Sequence, residues 1–527
     1  MTVDKRICRL RAAAGMTQEQ LATVLEVSHQ AVQKWESGAS TPDLGNVVKL
    51  AKFFHVTVDS ILFESDQRIL EEMQHEKRPI PDLSKLSAWD VYSSDLAVDF
   101  QQSLDEGLDV EGYRELFEAV SRMPVGEYRE RIADVLFEMT RHAGMRENFE
   151  FVEPSTLSEI RALRKPYAIT PTAMQCSDRK KKLLGAWTGR ACGCLLGKPI
   201  EGIRTNELYP LLREIENYPL HRYLRSTDIT EEMCSRYRYR LAGKTSYADL
   251  TDGMPVDDDT NYTVLAQRIV EKYGRDFTPA NVAKEWLSSQ SVYAYCTAER
   301  VAFHNFLKGY QPPQSAIYKN PYREYIGAQI RGDYFGYINP GNPEAAAEMA
   351  FRDASISHIK NGIYGEMFIA AVLAAAAVTD SMEDMILSGL SQIPETSRLY
   401  RSVLEVLQGY SMGVTRAECF ARIHRDYDEK TEYGWCHTIP NAMIVTASLL
   451  YGEGDFGRSI CMAVETGFDT DCNGATVGSI LGMRNGIDAI GEEWTKPLNG
   501  KINISIFGVG TVSIAACAEL TEKHIKE

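Results

Sequence analysis

The stretch that decides the fold is Glu465-Thr466-Gly467-Phe468-Asp469-Thr470-Asp471-Cys472-Asn473-Gly474-Ala475-Thr476-Val477-Gly478-Ser479-Ile480-Leu481-Gly482. Asp469 and Asp471 sit two apart on a turn that a glycine precedes, and a run of mostly small residues follows. Small residues let a helix pack backbone-close against its neighbours, so the pattern predicts a carboxylate pair at the mouth of a buried helix. Two acids held this close repel unless a proton or a cation sits between them. The plainer alternative is that Asp469 only caps the helix.

Outward from this stretch, a matching one lies far upstream. From Leu183 to Gly202 the chain carries Gly185, Gly189, Gly193 and Gly197, four apart and therefore on one face of a helix. Such a strip admits a very close helix contact or a ligand against the backbone. It ends at Pro199 and Glu201, which places a carboxylate in the following loop. Next, Asp257-Asp258-Asp259 precedes a helix with apolar periodicity. One or two acids at a helix N-terminus answer its dipole, but three exceed that need, and a hard divalent cation with oxygen ligands is the usual offset. His358 stands between Ser357 and a glycine-containing segment, as a ligand-binding group or as a core histidine. Period-2 alternation is nearly absent, so the region from residue 181 to 527 reads as all-α.

The whole chain of 527 residues is too long for one core. Its net charge of −16 excludes a protein whose entire surface binds nucleic acid, while leaving room for a small DNA-reading module. The 11 cysteines show no regular spacing, and Cys192-Gly193-Cys194 is too tight for a zinc knuckle, so they are expected reduced. The longest apolar run, Met367 to Val378, is about half of the ~20 residues that span a bilayer. A soluble, cytoplasmic protein with no membrane partner is the expectation.

Residues 1–65 form a self-contained unit. Thr17 and Gln20 make a capping box for a helix whose apolar face is Leu21, Ala22 and Leu25. Ser28 opens a second helix, with Ala31, Val32 and Trp35 facing inward, and Ser37-Gly38 and Pro42 stop it. Two short helices about a tight turn, the second polar on its outer face, is the helix-turn-helix plan. Residues 1–65 hold seven basic residues against seven acidic ones, which keeps a protein-docking role open beside DNA binding. Residues 66–180 hold 23 acidic and 15 basic residues, and apolar positions such as Leu116, Phe117, Val120, Ile132, Val135 and Leu136 recur at helical spacing. This segment is expected as a helical connector, a solvated spacer or a dimerisation region.

Gly15-Met16-Thr17-Gln18-Glu19-Gln20-Leu21-Ala22 with Val27 to Gly38 and Pro42 resembles the phage-repressor type of helix-turn-helix domain. The resemblance implies a five-helix domain whose second motif helix enters the major groove, with Ser28, His29, Gln30, Gln33 and Lys34 facing DNA and Gln18 near its backbone. Single modules of this type bind as dimers, which makes a homodimer one expectation. From about Lys181 onward, Gly185-Ala186-x-x-Gly189, Gly197-x-Pro199-x-Glu201, Asp258-Asp259-Thr260, Ser357-His358-x-x-x-Gly362-x-Tyr364-Gly365 and Gly467-x-Asp469-Thr470-Asp471 together resemble the ADP-ribosylglycohydrolase family.

That second resemblance implies an all-α fold holding two Mg²⁺ or Mn²⁺ ions and hydrolysing a glycosidic bond of ADP-ribose or a related ribosyl compound. The metal set it implies is Asp257, Asp258, Asp259, Asp469, Asp471 and Cys472, with Glu201, Asp258, Asp259 and Asp471 carrying the catalysis. Gly327, Arg331, His358 and Gly362 would bind the substrate near its pyrophosphate. Three positions depart from the family pattern: Asp257 and Cys472 stand where threonine is usual, and Cys194 follows Gly193 where aspartate is common. The segment Pro321 to Ile326, which carries Glu324, replaces a glycine-rich loop and makes a poor pyrophosphate cradle. The competing reading is a transcriptional regulator whose C-terminal domain senses a ribosylated metabolite without turning it over.

Overall fold

A computed structural model describes residues 2–62, 81–169, 176–239, 241 and 243–525, in two units that divide after Asp82. The first unit holds α1 (Val3–Ala13), α2 (Gln18–Leu25), α3 (His29–Glu36), α4 (Leu44–Phe54) and α5 (Val58–Leu62). Local chemistry sets these boundaries. Thr17 Oγ1 accepts from the Gln20 amide and Gln20 Oε1 accepts from the Thr17 amide, while Ser28 Oγ accepts from the Ala31 amide. Ile7, Leu21, Leu25, Val32, Trp35, Leu50 and Ile61 meet in its core. Ala31, expected inward, is only half-buried.

The second unit begins with α6 (Leu96–Asp105), α7 (Arg114–Ser121) and α8 (Glu127–Arg141). Phe117, Val120 and Leu136 are buried there, whereas Leu116, Ile132 and Val135 are exposed. From Leu83 onward the described part of the segment expected as a connector belongs to the larger unit. Its polar residues are buried against the body: Arg323 donates to Asp99 at 2.5 Å and to Glu106 at 2.5 Å, Lys360 pairs with Glu106 at 2.8 Å, and Gln102 donates to Glu324 at 2.6 Å.

The body is helical, with α9 (Cys176–Gly197), α10 (Asp258–Tyr273), α11 (Thr297–Leu307), α12 (Pro343–Ala354), α13 (Lys360–Ala376), α14 (Arg398–Ser411), α15 (Arg416–Asp426), α16 (Thr438–Tyr451), α17 (Phe456–Glu465) and α18 (Thr470–Asn485) as the elements that matter for the site. Among the described residues its only sheet is a two-stranded antiparallel pair, β1 (Lys501–Asn503) with β2 (Thr511–Ser513). The apolar run from Met367 lies in α13, whose Asn361 to Ala376 are all buried, and no described helix is long and apolar enough to cross a membrane.

The two glycine strips meet. A Cβ on Gly185 would lie 2.4 Å from Gly482 O, one on Gly189 2.1 Å from Gly478 O, one on Gly193 1.8 Å from Gly474 O, and one on Gly197 2.3 Å from the Asp471 amide nitrogen. The residue numbers run in opposite senses, so α9 and α18 are antiparallel and the end of one delivers Glu201 to the beginning of the other. No side chain larger than hydrogen fits between backbones this close.

Candidate metal centre

Three chain segments converge at this crossing. Gly467 takes a φ of +70°, in the left-handed region that glycine fills without steric cost, and turns the chain from α17 into α18. Thr470 Oγ1 then donates to Gly197 O at 3.0 Å, locking the start of α18 to the end of α9. At the third segment Asp257 caps α10 by accepting from the Asp259 amide at 2.9 Å.

Carboxylate and thiol atoms of Cys194, Asp257 and Asp259 lie within 4.8 Å of one another, and so do those of Asp259, Asp471 and Cys472. Asp258 and Asp469 stand outside these two tight groups, and Glu201 is exposed. Asp469 accepts from the Cys436 thiol at 3.5 Å. The structure thus gathers Asp257, Asp259, Asp471 and Cys472 most closely, all buried.

Two cations serve this cluster from its edges. Buried Arg190 donates to Asp259 Oδ1 at 2.9 Å and to the Asp259 carbonyl, and lies 2.9 Å from Asp333. Lys198 pairs with Asp257. Two oxygens are left without any hydrogen-bond partner, Asp259 Oδ2 and Asp471 Oδ1. Burial, together with neighbouring acids, pushes the carboxyls of Asp258, Asp259 and Asp471 well above the ordinary range, and burial raises Asp469. Asp257 is also penalised by burial, but the Lys198 ammonium holds it below the ordinary carboxylate value. Burial and then nearby aspartates drive the thiols of Cys194 and Cys472 well up, so both are protonated. The chemistry that follows is oxygen-based: bare carboxylate oxygens in a dry site suit a hard divalent cation, and a neutral thiol is a weak partner for one.

The residues expected to bind substrate form a separate cluster around Glu299 of α11. A Cβ on Gly327 would sit 2.2 Å from Glu299 Oε1, so the missing side chain is what admits that carboxylate. Arg331 donates to Glu299 at 2.7 Å, to Asp353 at 2.5 Å and to Ser357 at 3.1 Å, with Tyr262 and Trp286 against its guanidinium. It is an interior counter-charge, since its donors are spent on protein acceptors. His358 shares a 2.9 Å hydrogen bond with Ser357, and burial and then Arg331 hold its imidazole well below its usual pKa, hence neutral. A Cβ on Gly362 would meet the Arg323 carbonyl at 2.7 Å. Glu324 is buried and accepts from the Asn361 amide at 3.0 Å, the Asn361 side chain at 2.8 Å and Arg398 at 2.8 Å. Despite burial, Arg398 and then His437 keep it far below its ordinary pKa, a fixed negative charge where the family resemblance implies a phosphate cradle.

Sequence reasoning missed Arg190, Lys198, Glu299 and Tyr262, whose buried hydroxyl has no partner. Arg190 had a signal: a lone guanidinium inside a glycine and alanine helix must find a buried acid. In the helix-turn-helix unit, Ser28, His29, Gln30, Gln33 and Lys34 are all exposed, although Ser28 Oγ is engaged as the cap. Gln18 instead donates to Glu36 at 2.8 Å, beside the Arg11–Glu36 pair at 2.6 Å.

With that geometry in view, comparison with known proteins finds two family models. One described as ADP-ribosylglycohydrolase matches residues 175–523, and one described as helix-turn-helix matches residues 8–61. The HTH-type transcriptional activator BcrR of Enterococcus faecalis is 37% identical over 75 residues, which is 14% of this chain and only 37% of that regulator. An uncharacterised protein of Archaeoglobus fulgidus is 23% identical over 327 residues, 61% of this chain and 93% of its own length. A solved structure titled ADP-ribosylglycohydrolase-related protein complex is 16% identical with a TM-score of 0.39, covering 66% of this chain and all of that one.

Proposed function

The chain belongs to the ADP-ribosylglycohydrolase family through residues 175–523 and opens with a helix-turn-helix domain; on that premise we propose that its body is a divalent-metal-dependent hydrolase of a glycosidic bond in a ribosyl compound, joined to a domain that reads specific DNA. The observation that carries the proposal is the pair of partnerless oxygens, Asp259 Oδ2 and Asp471 Oδ1, aimed into one cluster from two helix N-termini. Asp258, Asp259, Asp469 and Asp471 would hold two Mg²⁺ or Mn²⁺ ions. Bound there, such ions lower the pKa of a water and orient ribose hydroxyls.

The chain's own groups do the rest. Arg190 fixes the rotamer of Asp259, so its free oxygen faces the cluster. Lys198 holds Asp257 ionised. Glu201, exposed at the mouth, is the group with freedom to take and return a proton as substrate arrives. Asp257 and Cys472 are supporting neighbours of the metal set in this reading, the first because Lys198 already occupies it. The leaving group belongs to a substrate other than one recognised through a glycine-lined pyrophosphate loop, since Glu324 repels phosphate where such a loop would lie. In the first unit, Ser28, His29, Gln30, Gln33 and Lys34 would meet base edges and phosphates, in the cytoplasm where a bacterial-type regulator finds its operator.

A second reading, metabolite sensing without turnover, is favoured by one observation. Lys198 already neutralises an acid of the cluster. The experiment that separates the readings is hydrolysis of ADP-ribosylated peptides, O-acetyl-ADP-ribose and ribosylated small molecules with Mg²⁺ or Mn²⁺ and with chelator. Metal-dependent release of the ribosyl group, lost in Asp258→Asn/Asp469→Asn, supports the hydrolase. Metal binding with no turnover of any of these leaves the sensor.

A further inference from the structure

α8 is apolar on two faces, and its own chain uses one of them. Ala133, Leu136, Phe137 and Thr140 are buried against the rest of the unit. Tyr128, Ile132, Val135 and Met139 recur at helical spacing and form a second stripe along the same helix. Tyr128 is 79% exposed and Val135 57%, with Ile132 exposed and Met139 half-buried beside them. The stripe lies outside residues 8–61 and 175–523, the segments that match the two families, so neither DNA reading nor the metal centre accounts for it.

The charges beside the stripe say what covers it. Glu127, Arg131, Glu138 and Arg141 are all exposed, and along the helix they run minus, plus, minus, plus. Laid antiparallel on a second copy, about a two-fold axis that passes between residues 133 and 134, the helix answers itself. Ile132 meets Val135, Tyr128 meets Met139, Arg131 meets Glu138 and Glu127 meets Arg141, and the symmetry makes each contact twice. Among the described residues Arg131 has no hydrogen bond or ion pair in its own chain, and the Glu138 carboxylate has only His142 at 3.9 Å. Asp134, which falls nearest the axis, is already neutralised by Lys319. A partner of one charge sign would set half of these groups against like charge, whereas a second copy opposes each with its complement.

We propose that this face of α8 is a self-association surface, on which two copies of the chain pair antiparallel with Ile132 and Val135 at the centre and the Arg131–Glu138 pairs on the rim. The proposal is independent of the hydrolase reading. It supplies the helix-turn-helix domain with a second copy, as domains of this plan read two half-sites as dimers. The 15 residues of α8 make a helix about 22 Å long. One such helix pair is a small contact beside the about 1,600 Å² of a standard interface, so a Kd of about 10 μM is expected.

The test is sedimentation equilibrium of the full chain and its variants, with circular dichroism melting to show that each is folded. The parent is expected to dimerise at about 10 μM, and Val135→Glu to weaken the dimer at least about tenfold. Arg131→Glu alone and Glu138→Arg alone place like charges on both rims, and each is expected to weaken it by about tenfold. An equal mixture of those two variants is expected to recover the parent affinity, because in the mixed dimer every changed side chain meets an opposite charge. Three results overturn the proposal. They are a parent that stays monomeric at about 100 μM, a dimer that Val135→Glu leaves intact, and a mixture that associates no better than its components. A monomeric parent whose melting temperature falls in Val135→Glu would show instead that the chain covers this face itself.

Discussion

Two buried acid clusters lie in the same helical body, and they are wired in opposite ways. Around Arg331, the carboxylates of Glu299, Asp353 and Glu366 surround a cation placed at their centre. Around the α9–α18 crossing, the cations Arg190 and Lys198 sit at the edge, and the middle is left to bare oxygens. The count of acids does not distinguish a structural nest from a metal centre; where the counter-charge stands does. A central guanidinium fills the middle of the first cluster, although both Glu366 oxygens there lack a hydrogen-bond partner, whereas the peripheral cations of the second orient its acids and leave the middle to them.

That contrast is sharpest under substitution. Removing the metal-centre acids in Asp258→Asn/Asp469→Asn is expected to erase metal-dependent turnover, a loss of at least about 10³-fold, while metal-free stability in urea stays equal or rises because repulsion is relieved. In the nest, Arg331→Met has the reverse profile. It leaves uncompensated buried carboxylates and is expected to destabilise by about 3–5 kcal/mol in urea titration, with no rescue by Mg²⁺. Equal behaviour of the two variants would dissolve the distinction.

The glycine crossing is the next lever. In Gly193→Ala the added Cβ meets a backbone carbonyl, which cannot step aside, so a loss of about 1–3 kcal/mol is expected. Because the helices must part where their ends present Asp471, Mn²⁺ affinity measured by titration should fall with it. Unchanged affinity would mean the centre does not rely on the crossing.

The pH dependence of stability separates the regions by sign. Asp259 and Asp471 have folded pKa values raised by burial, so their favourable contribution is complete below the unfolded carboxylate value, about 4, and is lost as pH rises through the raised folded value. Glu324 is held low, so its contribution is present above the unfolded value and lost as pH falls through the folded one. In chelator, Asp471→Asn should therefore flatten the decline of stability above about pH 4, and Mg²⁺ should flatten it in the parent. Glu324→Gln should leave that alkaline-side decline unchanged. The smallest effect is expected from Lys198→Met, which frees Asp257 and should tighten Mn²⁺ binding by a few-fold, about 1 kcal/mol.

What the sequence reveals follows the range of the forces. The helix-turn-helix unit is legible almost residue by residue because its caps at Thr17 and Ser28 act over three positions. The glycine strips announce close packing, since nothing else explains four glycines at helical spacing, though each strip is silent about its partner. The acids of the centre are visible as excess charge at helix starts. Their edge cations are not, because Arg190 and Asp259 are 69 residues apart and only folding pairs them. The same blindness makes Asp99 and Glu106 look solvated. Their partner Arg323 is more than 200 residues away, and only its burial shows that residues 96–106 are part of the body. Arg331 and His358 look like ligand groups for the converse reason: the motif is visible, while the carboxylates that consume Arg331 lie elsewhere in the chain.

The most direct measurement is calorimetric titration of Mn²⁺ into the full chain and into Asp258→Asn/Asp469→Asn, with circular dichroism to show that both are folded. An open centre at the α9–α18 crossing predicts Mn²⁺ binding by the parent, with two ions at saturation, and its loss in the variant. A folded parent that takes up no Mn²⁺, or a variant that binds it as well as the parent, would contradict the account.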